Sequence, residues 1–306
     1  MLFRSNPQTI IEVQKKIAQL PLAGLPSLNH DSPEVMKYLL DSYKHFIDLG
    51  VKSFRLDAAK HISFSFLGQF CHELNQYAQL KHGTQLKFLV ELLMHKSYPM
   101  DILAQELIRL APIDLSLKLL DFPHASQLRS IVYTNYDFHR LVDFITIRSK
   151  QQTTLDRLIP FLENHDFETP LPDGYLRKLV YAISEFIHEN STILYHGFEG
   201  KGAIDATHRK LISEIDSSGE IGILLKKIRE TIDSDMELEA QALTPDHLIL
   251  SRNNSRKRVL LLANKSNRES LSFEIPSTMK ITVTVGKVIK QNHLLILTPE
   301  SLAIVK

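Results

Sequence analysis

The sequence predicts an α/β chain in two parts: about five β-α units of barrel type, then a small antiparallel β-sandwich. Three observations predict it. Short apolar strands alternate with amphipathic helices from about residue 33 to residue 235, as successive β-α units on a parallel sheet do. Acidic residues fall at or just past the carboxyl ends of these strands, at Asp57, Glu91 and Asp166, the end on which a β/α barrel builds its active site. Beyond about residue 236 the pattern changes to short strands broken by turns. There Leu271, Phe273 and Ile275, then Ile281, Val283 and Val285, alternate with polar residues. The domain plan expected is an irregular N-terminal remnant over 1–30, a partial barrel over 31–235 and the β-sandwich over 236–306.

Each element has its own signal. A short helix is expected over Pro7–Leu20, followed by a Pro/Gly-broken segment to Leu28. Ser32 can cap the next helix, Pro33 fits its first turn, and Val35, Leu39, Tyr43, Phe46 and Ile47 repeat at helical spacing until Gly50. The strand after Gly50 alternates, placing Ser53, Arg55 and Asp57 on one face and Phe54, Leu56 and Ala58 on the other. A helix over about Phe64–Gln79 follows, then a strand Lys87–Leu92, a helix Pro99–Leu110, a strand Ile113–Asp121 and helical segments through Arg148. Strands at Arg157–Glu163 and Thr192–Tyr195 flank a helix over Gly174–His188. Helices over His208–Ser217 and Gly222–Ile232 come next, and Met236–Pro245 reads as a linker.

Composition narrows the function. With 306 residues there is ample material for a core, and a formal net charge of +1 gives no electrostatic footprint for nucleic acid or an anionic membrane. No apolar run approaches a membrane span, and Met1 to Gln19 lacks a signal-peptide pattern, so a cytoplasmic chain is expected. The single cysteine, Cys71, sits among helix-patterned apolar residues as a buried thiol. His95, His124 and His139 show no metal-ligand spacing.

The chemistry centres on Val51–His61. Arg55 two residues before Asp57 on one strand face would hold the carboxylate ionised, which suits a nucleophile; an edge-strand ion pair at the surface is the plainer alternative. Glu91 lies among Leu89, Leu92, Leu93 and Met94, and an apolar setting raises a carboxylic acid's pKa, as a general acid requires. The alternative for Glu91 is a solvated strand-end glutamate. For His165 and Asp166 it is an Asx turn, and for Lys60 and His61 a solvated helix start.

Phe54-Arg55-Leu56-Asp57-Ala58-Ala59-Lys60-His61 resembles the second signature of the α-amylase family of glycoside hydrolases. Phe88-Leu89-Val90-Glu91 is similar to the third, with Val90 where many members carry glycine. Phe161-Leu162-Glu163-Asn164-His165-Asp166 is similar to the fourth. Leu25–Asn29 resembles the stretch preceding the third barrel helix, and Tyr195–Gly200 the end of the eighth strand. The resemblance implies an incomplete (β/α)8 TIM-type barrel and retaining glycosidase or transglycosylase chemistry on α-linked glucans or α-glucosides. Asp57 would be the nucleophile, Glu91 the general acid/base and Asp166 the residue that steadies the transition state. Arg55, Lys60, His61 and His165 would contact substrate or orient the carboxylates. A retaining pair needs carboxyls roughly 5–5.5 Å apart.

The family's barrel carries about three further β-α units before the helix near Pro33, and with them an asparagine ligand of its structural calcium. The expectation is therefore a truncated barrel with impaired activity, no cofactor and no metal. An open edge at the Arg55–Asp57 strand would call for self-association or a partner chain supplying the missing barrel strands. Two other functions share the pattern: a non-catalytic interaction subunit that keeps the fold, and a disaccharide isomerase that intercepts the same covalent intermediate.

Overall fold

The structure, a computed structural model, describes residues 7–22, 24–93, 100–110, 115–134, 136–150, 156–167, 169–188, 190–195 and 219–306. The chain forms two compact units, Met1–Pro123 and His124–Lys306.

In the first unit, α1 (Pro7–Ile17) is followed by α2 (Pro33–Asp48), β1 (Ser53–Leu56), a 3-10 turn (Ala59–His61), α3 (Phe64–His82), β2 (Lys87–Val90), α4 (Met100–Leu110) and β3 (Ser116–Leu120). The Ser32 hydroxyl accepts from the Val35 N–H and caps α2, with Pro33 in its first turn. Past the end of this helix Gly50 takes a φ of 95°, open to a residue without Cβ. The strands run parallel in the order β1-β2-β3, pairing Leu56 with Val90 and Val90 with Leu119. Leu56, Phe88, Val90, Leu117 and Leu119 are buried, as are Phe70, Cys71 and Leu74 of α3. Each such apolar side chain contributes about 1.5–3 kcal/mol by leaving water. Because parallel strands need crossovers, the carboxyl ends of β1 and β2 point the same way, and the residues after them emerge side by side.

The second unit is entered along α5 (Phe122–Tyr133). It continues through α6 (Phe138–Ser149), β4 (Leu158–Ile159), α7 (Tyr175–Ile187) and α8 (Glu220–Arg229). Eight strands follow: β5 (Glu237–Thr244), β6 (His247–Asn253), β7 (Arg258–Asn264), β8 (Leu271–Glu274), β9 (Ile281–Val285), β10 (Val288–Gln291), β11 (Leu294–Leu297) and β12 (Ser301–Val305). They form a sheet of order β5-β6-β7-β12-β9 and another of order β10-β11-β8, all antiparallel. Leu260, Leu262, Ala303 and Val305 pack with Phe273, Leu295 and Leu297 in one apolar cluster, the sandwich core. The opposite residues of the same strands, Leu261, Ala263, Leu302 and Ile304, join Leu179, Ile183 and Ile228 of the helices in a second. Covering on both faces explains why β12 is buried along its whole length.

Three expectations change. Met236–Pro245 is no linker: Glu237–Thr244 is a strand, with Leu238, Ala240 and Ala242 packed inward and Glu237, Glu239 and Gln241 outward. Thr192–Tyr195 contains only a parallel bridge, Ile193 to Phe161. Val288–Gln291 is a strand the sequence did not announce. The expected helix His208–Ser217 and the stretch His196–Gly200 lie outside the described residues, as does Met94.

Candidate active site

Asp57 and Glu91 are the first residues beyond the paired ends of β1 and β2. Arg55 links them, its Nη1 lying 2.7 Å from Asp57 Oδ1 and its Nη2 3.0 Å from Glu91 Oε2. Their environments differ sharply: the Asp57 side chain is 67% exposed and that of Glu91 7%. Burial, and after it the neighbouring Asp57 carboxyl, raises Glu91 to a pKa of about 7. The Ala58 N–H and the Arg55 charge pull the other way. With its pKa raised in this way, the buried Glu91 carboxyl keeps a proton close to neutrality. Glu91 is thus no solvated strand-end glutamate.

The backbone around the pair is held tightly. The Glu91 N–H donates to the Leu56 carbonyl at 2.9 Å, and the Ala59 N–H donates to the Glu91 carbonyl at 2.9 Å. Ala58 is left-handed, with φ 47° and ψ 36°, an uncommon state for a residue with a Cβ. In that conformation its N–H reaches Glu91 Oε2 at 3.2 Å. Lys60 and His61 follow on the 3-10 turn, both half-buried. His61 Nδ1 is enclosed and has no hydrogen-bond partner among the described residues.

His165 and Asp166 lie in the second unit. The Asn164 side-chain oxygen accepts from the Asp166 and Phe167 N–H groups at 3.1 and 3.2 Å, an Asx turn that presents His165 and Asp166. His165 Nε2 sits 3.2 Å from Asp166 Oδ1. The preceding Glu163 is fully buried. Its carboxylate accepts from the Leu171 N–H at 2.8 Å, Arg177 Nη2 at 2.9 Å and the Tyr181 hydroxyl at 2.8 Å. This network anchors the loop base, while Arg129 donates to the Leu162 carbonyl at 3.1 Å and lies 4.1 Å over the Phe167 ring. Among the described residues no group of three or more His, Cys, Asp or Glu side chains is placed to hold a metal ion.

A cyclomaltodextrin glucanotransferase of Geobacillus stearothermophilus is 24% identical over 289 residues, 89% of this chain and 38% of that protein. An alpha-amylase of Tenebrio molitor is 55% identical over 42 residues, covering 14% of this chain and 9% of that protein. The crystal structure of CldA, a cyclomaltodextrin glucanotransferase with a three-domain ABC distribution, superposes with a TM-score of 0.73 at 21% identity, over 95% of this chain and 63% of that one. No family model matches the chain. The chain spans well under half the length of the first of these curated relatives. Over most of its length the chain is thus similar to cyclomaltodextrin glucanotransferases, and its fold is that of α-amylase-type barrels with a β domain.

Two features of the site were not singled out from sequence. One is the left-handed Ala58, which no residue type announces. The other is Gln14 of α1, buried at 2% exposure on a stripe otherwise made by Ile11, Ile17 and Ala18. A polar residue interrupting an apolar helical stripe was the available signal.

Proposed function

We propose that the chain is a retaining α-glycosidase or transglycosylase acting on α-linked glucans or short α-glucosides, with Asp57 as nucleophile and Glu91 as general acid/base. The observation that carries this reading is the unequal pair. One carboxyl is exposed and ion-paired; the other is buried, with a pKa raised to about 7, and both sit on one guanidinium.

An Asp57 oxygen attacks the anomeric carbon as the bond from that carbon to the leaving oxygen breaks, and Glu91 gives its proton to that oxygen. The Glu91 carboxylate then takes a proton from an incoming hydroxyl, of water or of another sugar. That oxygen displaces Asp57 from the anomeric carbon. Arg55 stabilises whichever carboxyl carries charge, which turns from Asp57 toward Glu91 during the first step. Lys60 and His61, on the turn beside the pair, contact the leaving-side sugar. For His165 and Asp166 the support is the fourth motif, which assigns them hydrogen bonds to sugar hydroxyls and stabilisation of the oxocarbenium-like state. The choice between water and sugar as acceptor is left open by the relatives, which include both transferases and hydrolases by name.

The test is turnover of maltooligosaccharides by the chain and by Asp57→Asn. Release or transfer of glucosyl units that falls at least about a thousandfold in the variant supports the reading. Equal rates near background for both proteins would refute it and favour the non-catalytic interaction subunit.

A further inference from the structure

The 3-10 turn Ala59–His61 is held from two sides. On one side the Ala58 and Ala59 N–H groups reach the Glu91 side chain and carbonyl, at 3.2 and 2.9 Å. On the other, the buried Gln14 side chain donates from its Nε2 to the Ile62 carbonyl at 2.9 Å and to the Lys60 carbonyl at 3.3 Å. These carbonyls close a short helical turn and have no partner within it, so the amide caps them as water would otherwise. Gln14 belongs to α1, in the stretch the motif pattern left outside the barrel.

A glutamine at 2% exposure is costly unless its amide is used, and here both hydrogen bonds go to one turn. Ala58 gains from such support because its left-handed conformation is unfavourable for a residue with a Cβ and persists only where its surroundings hold it.

We propose that Gln14 is a positioning residue: through the Lys60 and Ile62 carbonyls it braces the turn that aims the Ala58 N–H at the Glu91 carboxyl and carries Lys60 and His61. This rests on the catalytic assignment of Glu91 for its consequence, although not for its geometry.

The experiment replaces the donor with an apolar side chain of similar length, Gln14→Met, and follows Glu91 by carbon-13 NMR titration of its carboxyl. Among the described residues, the groups facing that carboxyl are Asp57, Arg55 and the Ala58 N–H. The Ala58 N–H favours the ionised form, so its loss should move the Glu91 titration upward by about half a pH unit. Amide exchange at Ala59, His61 and Ile62 should accelerate about tenfold or more. Gln14→Asn, which keeps a donor one methylene short, should shift both readouts less. Glu12→Gln, an exposed change on the same helix, should shift neither. A Glu91 titration and amide exchange that stay at wild-type values in folded Gln14→Met would overturn the brace. Should Gln14→Met fail to fold, Gln14→Asn decides by the same two readouts. Both are independent of turnover, so an inactive wild-type chain would remove the catalytic reading while leaving this proposal open to refutation on its own terms.

Discussion

Glu91→Gln should stabilise this protein at alkaline pH. Burial, and after it the neighbouring Asp57 carboxyl, raises the Glu91 pKa from the ordinary 4.5 to about 7. An acid whose pKa is higher folded than unfolded binds more protons in the folded state across that window. Its contribution is fully present below about pH 4.5 and is lost as pH rises through about 7. At about 1.4 kcal/mol per pH unit the loss amounts to roughly 3 kcal/mol above pH 8. Glutamine keeps an oxygen for the Ala58 N–H and an N–H for Asp57, and it never ionises. Urea unfolding of both proteins from pH 4 to pH 9 isolates the effect. The variant should match the wild type near pH 4.5 and exceed it by about 2–3 kcal/mol at pH 8, with the difference growing between those limits. A difference that is constant with pH, or that grows toward acid, would refute the assignment of the proton to Glu91.

Other perturbations follow from the packing. Arg177→Met removes the cation from the fully buried Glu163 and should destabilise the protein by about 3–5 kcal/mol in chemical denaturation, because an unpaired charge is left behind. Asp173, a further partner of Arg177, is 94% exposed and contributes little to that figure. Gly286→Ala should cost at least about 1–2 kcal/mol in the same assay. Gly286 has φ 74°, and an added Cβ would meet the Glu300 carbonyl oxygen and the Ser301 side chain.

Much of the architecture is legible in the residues, for reasons that can be named. Ser32, Pro33 and Gly50 bracket α2 because a cap, a proline in the first turn and a positive φ leave few alternatives. Gly83, with φ 61°, ends α3 in the same way, one turn later than the periodicity implied. The strand Glu237–Thr244 was hidden because Ala, Glu and Gln have little strand preference; its outline lay only in the alternation of Leu238, Ala240 and Ala242. Conversely Thr192–Tyr195 has strand composition yet makes a single bridge, since pairing depends on what lies beside it. The adjacency of Asp57 and Glu91 follows from their strand-end positions once β1 and β2 are parallel neighbours. Their unequal burial does not, because it depends on side-chain rotamers that sequence spacing leaves open.

The most direct measurement is mass spectrometry of Glu91→Gln after incubation with an α-maltosyl fluoride. Fluoride leaves without acid assistance, and the variant lacks the base that would activate water, so a covalent glycosyl-enzyme should accumulate. Peptide mapping is expected to place one maltosyl group on the fragment containing Asp57. No adduct, or an adduct carried by any other carboxylate, would contradict the assignment of Asp57 and Glu91 as nucleophile and acid.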